Sequence, residues 1–448
     1  MQRIFVIGAG KSSTVLIQYL LDRAEEHDWF VTVGDMSEAA AQRKVNGHSR
    51  GDAIFFDVYD DTLRRACIRQ ADLVVSLLPA NMHSPVAKDC IQFGKHFVSA
   101  SYVNPEMQEL DEAAQQQGVI LLNECGLDPG IDHMSAMRMI NEVKREGGHI
   151  TCFESYAGGL ISPESDTNPW HYKISWNPRN IVLAGQGISK FYWRDSLKII
   201  PYNKLFSRYD ILEIPGYGDY EGYPNRDSTR YRSLYELESA HTVVRGTLRK
   251  RGYCDAWDVL IKLGLTDENY TVELPKDCTW KTFIDCFLPY EPGMDVQQKF
   301  VKYFQLEDAP KIVAQMEWLG LFSDEPIGQE KGTPAGLLQG LLERKWQLEP
   351  GDKDMVVMLH KMEFTNNGKD YEAQMSLAVS GEDEVITAMA KTVGLPAGIA
   401  ARLILTGAIK KAGVIIPVTA DIYGPILDEL RDGFGIQFIH QLNEVVHD

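Results

Sequence analysis

The sequence predicts an α/β protein with an amino-terminal doubly wound parallel sheet, followed by a mixed α/β domain that carries a helical insertion. Two observations predict this architecture. Over the first 125 of the 448 residues, short β-branched runs alternate with longer amphipathic stretches. Between about residues 252 and 346 the periodicity is mostly helical, and strand-like runs return after it.

The amino-terminal part contains six predicted strands separated by helical stretches. The strands are predicted at 3–8, 30–34, 53–58, 72–77, 96–100 and 119–123. The clearest helical stretches between them are 13–26, 84–93 and 105–117. Because long crossovers rather than tight turns join the strands, we expect a parallel sheet with helices on both faces.

From about residue 126 the pattern changes. A helix is predicted at 131–145 and a strand at 149–156, followed by a stretch rich in Gly, Pro and aromatic residues from 158 to 224. The remaining elements are helices at 256–263, 296–304, 309–318 and 333–346, strands at 355–364 and 371–380, and a small-residue helix at 384–406. We therefore expect one domain over 1–125, a second over 126–390, and a C-terminal segment, 391–448, that packs back on the first domain.

Composition and charge narrow the class of protein. Hydrophobic residues make up 44% and charged residues 24%, which is typical of a globular chain. The net charge of −18 opposes nucleic-acid binding, so no nucleic-acid partner is expected. The apolar runs are short, such as 73–80, and the first strand directly follows Met1, so neither a membrane span nor an export signal is predicted. The seven cysteines lack C-x-x-C spacing, which favours reduced thiols, no metal site and a cytoplasmic location.

A glycine pair follows the first strand and opens a helix. Gly8 permits a tight turn, and Gly10 lets the backbone approach a pyrophosphate at the helix start, as in the Rossmann dinucleotide-binding motif. Ser13 stands where the third glycine of that motif would be, and it is small enough for close helix packing. The alternative is a turn that needs glycine only for its conformation.

An acidic residue, Asp35, ends the second strand. A carboxylate there can accept hydrogen bonds from the adenosine ribose and repel a 2′-phosphate, which favours NAD over NADP. It can also cap the helix that follows. Arg43 and Lys44 lie a few residues further on and can approach a 2′-phosphate, so NADP stays open. Asp57, at the end of the third strand, is either an adenine contact or a turn residue.

Polar residues also gather where the next three strands end. These strands run into 76–79 (SLLP), 99–102 (SASY) and 124–130 (ECGLDPG). The carboxyl ends of parallel strands form the ligand-binding edge of an open α/β sheet. The sequence therefore places reactive groups beside the expected dinucleotide.

These stretches resemble the glutamate-forming saccharopine dehydrogenase family, also called saccharopine reductases. The matching sequence motifs occur in the same order, and the resemblance extends from residue 8 to beyond residue 396. The motifs are SLLP, ASY, GLDPGIDHM, SYAGGL, NPWHYKISW, GYPNRDST, VRGTLR, EWLGLF, DMVVM and AKTVGLP. The resemblance implies that a nicotinamide oxidises the secondary amine of saccharopine and that the imine is hydrolysed to L-glutamate and 2-aminoadipate 6-semialdehyde. It also implies a homodimer formed through the middle domain.

The resemblance extends to cofactor and substrate residues. The implied cofactor-binding residues are Gly8, Gly10, Lys11, Ser12, Ser13, Asp35, Asp57, Val58, Leu77, Leu78, Ser101, Leu127, Asp128, Ser175 and Trp176. The implied substrate-binding residues are Ser101, Tyr102, Asp128, Arg226, Thr247, Leu248 and Arg249. Saccharopine carries several carboxylates, and guanidinium groups such as those of Arg226, Arg245 and Arg249 bind carboxylates in a bidentate fork. The alternative is that one of these arginines pairs only with Asp227 or Glu236.

The chemistry requires a base before hydride removal and again when water is activated. Asp128 and Tyr102 are the candidate catalytic residues, and the acid–base residues proposed for the family match them. The alternative for Asp128 is an N-cap, with Pro129 just inside the next helix. His133 and Lys173 are other candidate proton carriers.

One position departs from the family pattern. The family commonly reads SYCGGL where this chain has Ala157, and Cys125 is a candidate replacement for the missing thiol. The departure motivates a second hypothesis, a dehydrogenase of a related aminocarboxylate, of the carboxynorspermidine or opine type. A third hypothesis, a nucleotide-sensing or scaffold protein, gains little support, because a scaffold needs none of Tyr102, Asp128 and Arg226.

Overall fold

The computed structural model describes residues 1–446. The chain divides into two compact units. The first unit comprises Met1–Ile150, Phe364–Tyr371 and the chain from Val379 onward. The second unit comprises Thr151–Glu363 and Glu372–Ala378.

Helices and strands alternate along the chain. The order begins with β1 (Gln2–Ile7), α1 (Thr14–Asp22), β2 (Trp29–Asp35), α2 (Glu38–Val45), β3 (Gly51–Phe55), α3 (Asp61–Gln70), β4 (Leu73–Ser76), α4 (His83–Phe93), β5 (His96–Ser99), α5 (Pro105–Gln108), α6 (Asp111–Gln116), β6 (Ile120–Leu122) and α7 (Ile131–Arg145). It continues with β7 (His149–Ile161), α8 (Pro178–Leu183), β8 (Ser189–Trp193), β9 (Ser196–Ile200), β10 (Asp210–Ile214), β11 (Gly218–Pro224), α9 (Tyr231–Leu234), β12 (Thr242–Lys250), α10 (Tyr253–Leu263), β13 (Val272–Glu273), α11 (Trp280–Asp285), α12 (Val296–Phe304), α13 (Pro310–Leu319), β14 (Lys331–Gly332) and α14 (Pro334–Lys345). The last elements are β15 (Asp354–Asn366), β16 (Lys369–Ser380), α15 (Ala388–Leu405), β17 (Gly413–Ile415), α16 (Ala420–Phe434) and β18 (Ile439–Val445).

A seven-stranded sheet in the order β17-β6-β5-β4-β1-β2-β3 forms the centre of the first unit. Each neighbouring pair is parallel. The central strand β4 is apolar on both faces, and Leu73, Val74 and Val75 are fully buried, as expected where helices cover a parallel sheet. The predicted fold class is confirmed.

Six of these seven strands lie where the sequence predicts them, although β3 spans Gly51–Phe55 rather than 53–58. The seventh, β17, was not predicted, because its three residues give no periodicity. The helix predicted at 13–26 ends at Asp22, since the chain turns before β2 and the N–H of Trp29 donates to the carbonyl of Ala24. The helix predicted at 105–117 is two short helices, α5 and α6.

The first unit extends beyond the boundary predicted at residue 125 and includes helix α7. This helix packs against α16, where Arg138 pairs with Asp428 at 3.0 Å and Asn141 donates to the Tyr423 hydroxyl at 3.0 Å. The predicted boundary at residue 390 also moves, because the chain returns to this unit from Val379 onward. Contacts made far along the chain thus decide where the unit ends.

Helix α15 packs closely on α1 in the first unit. A Cβ atom at Gly394 would lie 2.7 Å from the backbone nitrogen of Leu16, and one at Gly398 would lie 2.6 Å from the Tyr19 ring. The short apolar runs of the sequence predict no segment long enough for a membrane span, and this prediction is wrong. Helix α15 is long and apolar enough to qualify by length and composition, although 78% of it is buried inside the protein.

A nine-stranded mixed sheet contains the main strands of the second unit. Its order is β10-β11-β12-β7-β15-β16-β18, with β8 paired to β12 and β9 paired to β8. Strands β12 and β7 are parallel to each other, whereas the pairs β10–β11 and β11–β12 are antiparallel. Residues 252–346 are largely helical, as predicted. Their helices pack around a buried aromatic cluster formed by Trp170, Tyr172, Tyr253, Trp257 and Trp346.

Candidate active site

The loop after β1 provides a cradle for a dinucleotide. Gly8 has a φ of +105°, and a Cβ atom there would lie 3.3 Å from the Leu77 carbonyl oxygen. A Cβ at Gly10 would meet no described atom within 4 Å beyond its chain neighbours, so the backbone there faces open space. Gly10 is also the N-cap of a short 3₁₀ helix, Lys11–Ser13, and none of the described side chains caps it. These features fit a pyrophosphate at the helix start.

Ser13 has a structural part in this turn. It is 1% exposed, and its hydroxyl donates to the Gly10 carbonyl at 2.9 Å. The side chain therefore stabilises the loop, and its hydroxyl hydrogen is engaged within the turn. Lys11 is exposed and Ser12 is half-buried, so their side chains can be reached from solvent.

The carboxylate of Asp35 connects the end of β2 to the glycine loop. Its Oδ2 accepts from the N–H of Ala9 at 2.7 Å, and its Oδ1 accepts from the N–H of Ser37 at 2.8 Å. Helix α2 is capped by Ser37, whose hydroxyl accepts from the N–H of Ala40, so the cap role considered for Asp35 belongs to Ser37. Lys44 donates to the hydroxyl of Thr14 and thus lies near the start of α1.

The other expected dinucleotide contacts of the first unit lie at the ends of β3 and β4 and after β6. Asp57 accepts from the N–H of Tyr59 at 2.9 Å, which is the turn role that the sequence left open. Val58 and Leu127 are buried, and Leu78 is half-buried. The carbonyl of Leu77 lies next to Gly8 and limits the space available at the glycine turn.

A buried histidine joins the ends of β4 and β5. His83 Nδ1 lies 3.0 Å from the Ser76 hydroxyl, and His83 Nε2 lies 2.8 Å from the Ser101 hydroxyl. Burial lowers the pKa of His83 to about 4, so the ring is neutral at pH 7. A neutral imidazole has one donor and one acceptor nitrogen, so one serine donates to it and the other accepts from it. Sequence reasoning missed His83, because a single histidine after a strand has no distinguishing pattern.

The two candidate catalytic residues are in direct contact. Tyr102 follows β5 and Asp128 follows β6, and the Tyr102 hydroxyl donates to Asp128 Oδ1 at 2.6 Å. Both residues are only partly buried. At this distance, a proton taken from a ligand can pass from the phenol to the carboxylate or back.

Asp128 is not a helix cap. The N-cap of α7 is Gly130 and the helix begins at Ile131, so the alternative that placed Pro129 inside the helix is wrong. The chain between Gly126 and Gly130 forms a narrow loop, closed by a hydrogen bond of 3.0 Å from the N–H of Gly126 to the carbonyl of Pro129. This loop projects Asp128 towards Tyr102.

Glycine is required at position 130. Its φ is +149°, and a Cβ atom there would lie 2.0 Å from the carbonyl oxygen of Gly126. We expect Gly130→Ala to lower the free energy of unfolding by about 2–4 kcal/mol, measured by urea denaturation. The control is Gly424→Ala, because a Cβ at Gly424 would meet no atom of residues 1–446 within 4 Å beyond its own helix, and its φ is not positive. Equal stability of Gly130→Ala and the wild type would contradict this account of the loop.

The alternative proton carriers are engaged elsewhere. His133 is fully buried, with Nε2 2.7 Å from Glu124 Oε2. Lys173 is 6% exposed and pairs with Asp352 at 2.5 Å. The thiol of Cys125 donates to the Pro396 carbonyl at 3.4 Å, and burial raises the pKa of this thiol. Cys125 is therefore a poor replacement for the cysteine that Ala157 displaces.

In the second unit, β12 carries the candidate carboxylate-binding arginine. Arg249 is 5% exposed, and its guanidinium carbon lies 5.3 Å from the ring centroids of Tyr172 and Tyr253. Its Nη1 donates to the carbonyl of Leu248 at 2.9 Å. Among residues 1–446, no carboxylate is paired with Arg249, and its Nε has no hydrogen-bond partner. A buried cation of this kind is unfavourable unless an anion joins it.

The neighbouring substrate candidates differ in exposure. Arg226 is exposed in the loop after β11 and has a φ of +56°. Arg245 is buried, with its guanidinium carbon 4.2 Å from the Tyr231 ring centroid. Thr247 is buried on the same strand. The Leu248 side chain lies in the apolar core, so a ligand contact at this residue would come from its main chain.

Three further positions of the second unit were singled out by sequence. Ser175 is 1% exposed, and Trp176 is half-buried with its indole N–H donating to the Tyr172 hydroxyl at 3.1 Å. Ala157 lies on β7 opposite Thr247 of β12. The methyl side chain of Ala157 cannot donate or accept a proton.

The fold and the site define a class before any relative is considered. A parallel sheet with a glycine cradle at its carboxyl edge, and a proton-transfer pair beside the same edge, is typical of Rossmann-type oxidoreductases that use a nicotinamide dinucleotide.

Comparison with known proteins then assigns the family. Residues 4–122 match the family model described as the saccharopine dehydrogenase NADP binding domain, and residues 126–436 match the saccharopine dehydrogenase C-terminal domain. This chain belongs to the saccharopine dehydrogenase family, and it is an oxidoreductase that acts on CH–NH groups. The recognition made from the sequence is confirmed.

Individual relatives are similar over their whole length or over part of it. The chain is 36% identical to the saccharopine dehydrogenase (NADP(+), L-glutamate-forming) of Schizosaccharomyces pombe, covering 98% of each chain. It is 34% identical to the mitochondrial alpha-aminoadipic semialdehyde synthase of Bos taurus, covering 96% of this chain but 47% of the relative.

Solved structures agree with this assignment. The structure of apo saccharopine dehydrogenase (L-Glu forming) from Saccharomyces cerevisiae has a TM-score of 0.87 and 31% identity, covering 99% of this chain and all of the other. The homospermidine synthase of Legionella pneumophila shares the fold, with a TM-score of 0.53 at 10% identity.

Proposed function

We propose that this chain oxidises saccharopine with a nicotinamide dinucleotide and hydrolyses the imine to L-glutamate and 2-aminoadipate 6-semialdehyde. The contact of 2.6 Å between Tyr102 and Asp128 carries the proposal, because the reaction needs a proton acceptor at this edge of the sheet. Full-length relatives whose names state the L-glutamate-forming reaction support it.

The Tyr102–Asp128 pair can carry out the proton transfers of the proposed reaction. The secondary ammonium of the substrate must first lose a proton, and the carboxylate of Asp128 accepts it directly or through the Tyr102 hydroxyl. A nicotinamide, when bound, would supply the hydride acceptor for the carbon next to the nitrogen. Asp128 releases the proton of the amine to solvent, and its carboxylate then takes a proton from the water that adds to that carbon, which gives a carbinolamine. The pair returns this proton to the nitrogen. The carboxylate then takes the proton of the new hydroxyl as the carbonyl forms and the C–N bond breaks, and the nitrogen leaves with L-glutamate.

We further propose that Arg249 binds a carboxylate of saccharopine. It is buried, it lacks a carboxylate partner among residues 1–446, and the rings of Tyr172 and Tyr253 lie beside its charge. An incoming carboxylate would compensate that charge with a charge-assisted hydrogen bond. The exposed Arg226 is proposed to bind a second carboxylate.

For the dinucleotide we propose NAD. The carboxylate of Asp35 lies beside the glycine loop, where it favours ribose hydroxyls and repels a 2′-phosphate. The names of the fungal relatives state NADP(+), so the test must compare both nucleotides.

We expect kcat/KM for wild-type protein to be at least about tenfold higher with NAD than with NADP. Asp35→Ser should reduce this ratio, because the repelling charge is removed. The matched control is Glu38→Gln, an exposed carboxylate in the first turn of α2, which should leave the ratio unchanged. A higher kcat/KM with NADP in the wild type would overturn the choice of NAD and leave the reaction itself untouched.

The reaction is tested by initial rates of nucleotide reduction with saccharopine, together with detection of L-glutamate. No turnover of purified protein with either nucleotide would reject it. Ala157 favours one second candidate, a dehydrogenase that forms an imine from a related aminocarboxylate. A panel of aldehyde and amine pairs assayed with NADH and NADPH separates the two functions. We also propose that the chain is a cytoplasmic homodimer, and light scattering after size exclusion tests the dimer.

A further inference from the structure

Three buried ionisable side chains lie next to the Tyr102–Asp128 pair without belonging to it. Glu124, Asp132 and His133 are each 0–1% exposed. His133 Nε2 lies 2.7 Å from Glu124 Oε2, and His133 Nδ1 lies 3.7 Å from Asp132 Oδ2. The three residues therefore form a continuous buried series of carboxylate, imidazole and carboxylate.

Each end of this series holds the main chain of one candidate catalytic segment. Glu124 Oε1 accepts from the N–H of Val103 at 3.0 Å, and Val103 directly follows Tyr102. Asp132 Oδ1 accepts from the N–H of Gly130 at 2.6 Å, and Gly130 lies two residues after Asp128. The same side chains thus bind both loops that carry the reacting pair.

The backbone supports this arrangement. Glu124 has a φ of +55°, which non-glycine residues seldom adopt, and its N–H donates to the Ser101 carbonyl at 3.1 Å. The carboxylates accept hydrogen bonds from main-chain N–H groups in a buried site, where such bonds hold geometry well.

We propose that Glu124, His133 and Asp132 form a positioning network that keeps the Tyr102 hydroxyl within hydrogen-bond distance of Asp128. None of the three is proposed to touch the substrate. The inference rests on the proposed function, because the network acts only through the pair that carries out the proton steps. Its loss should therefore lower kcat and leave dinucleotide binding at Gly8–Ser13 unaffected.

The first experiment is Glu124→Ala, which removes the acceptor of the Val103 N–H and the partner of His133. We expect kcat with saccharopine to fall about 30-fold, while the dissociation constant for the reduced dinucleotide, measured by fluorescence, changes less than about twofold. Glu124→Gln keeps an acceptor oxygen and should recover kcat to within about fivefold of the wild type. Glu112→Ala, an exposed glutamate on α6, is the matched control and should behave like the wild type.

A double-mutant cycle separates positioning from general destabilisation. In a Tyr102→Phe background, where the hydroxyl to be positioned is absent, Glu124→Ala should lower kcat by less than about threefold. The same fold-loss in both backgrounds would overturn the proposal. If Glu124→Ala does not fold, the same double-mutant cycle is measured with Asp132→Ala, which removes the acceptor of the Gly130 N–H. If neither variant folds, the network is structural and the proposal is rejected.

A second measurement needs no turnover. Amide hydrogen exchange should accelerate in the peptides containing Val103 and Gly130 in Glu124→Ala, and unchanged exchange there would contradict the network. If the wild type does not oxidise saccharopine, the proposed function fails whatever the exchange shows. If the wild type is active and the two substitutions have independent effects, only the positioning role fails.

Discussion

Replacing Asp128 by asparagine is expected to lower kcat for saccharopine oxidation by about 10²–10⁴-fold. The amide keeps the size of the side chain and an oxygen that accepts from the Tyr102 hydroxyl, yet it cannot take a proton from the substrate amine. The reaction then depends on water as the base. Initial rates at saturating saccharopine and dinucleotide measure the loss.

The control for this variant is Asp22→Asn, an exposed aspartate at the end of α1, which should retain full activity. The binding of the reduced dinucleotide to Asp128→Asn should stay within about threefold of the wild type, because the glycine cradle is intact. Unchanged kcat in Asp128→Asn would show that Asp128 is not the base, even if the protein oxidises saccharopine.

Replacing Arg249 by methionine is expected to lower kcat/KM for saccharopine by about 10²–10³-fold, mainly through KM. The same substitution should leave the melting temperature unchanged or raise it, because methionine fills a buried site without leaving a charge uncompensated. A purely structural arginine would give the opposite result, with lower stability and a normal KM.

Arg251→Met is the matched control for this pair of measurements. Arg251 directly follows β12, its side chain is 59% exposed, and it lies 3.5 Å from Asp219. Little change is expected in KM or in the melting temperature, because exposed ion pairs contribute little. A normal KM in Arg249→Met would remove Arg249 from the substrate site.

The sheet of the first unit was predictable from sequence because its signals are local. Buried strands such as β4 begin with a continuous apolar run, Leu73 to Val75, and Gly8 and Gly10 lie in the turn that follows β1. The boundaries of the first unit were not predictable from local signals. Helix α7 belongs to this unit through contacts such as that of Arg138 with Asp428, which join residues distant in the chain.

The same distinction, between local sequence signals and contacts of residues distant in the chain, applies to the candidate site. Tyr102 and Asp128 were found because strand ends and a family motif mark them, and the structure places them 2.6 Å apart. His83 and Glu124 were missed, since their importance lies in the hydrogen bonds that each makes to other strand ends. Arg249 was expected to bind substrate, but only the structure shows that no carboxylate within the described part of the chain pairs with it.

The pairing of β17 with β6 also determines when the dinucleotide half of the protein can be completed during synthesis. Val414 aligns with Leu121, so β6 has an open edge until the ribosome has released the chain beyond residue 415. Residues 151–363 emerge earlier, so the second unit can fold while the amino-terminal sheet still lacks a strand. Nascent chains stopped before residue 413 should therefore be sensitive to protease in their first 150 residues and need chaperone protection until the last helices arrive.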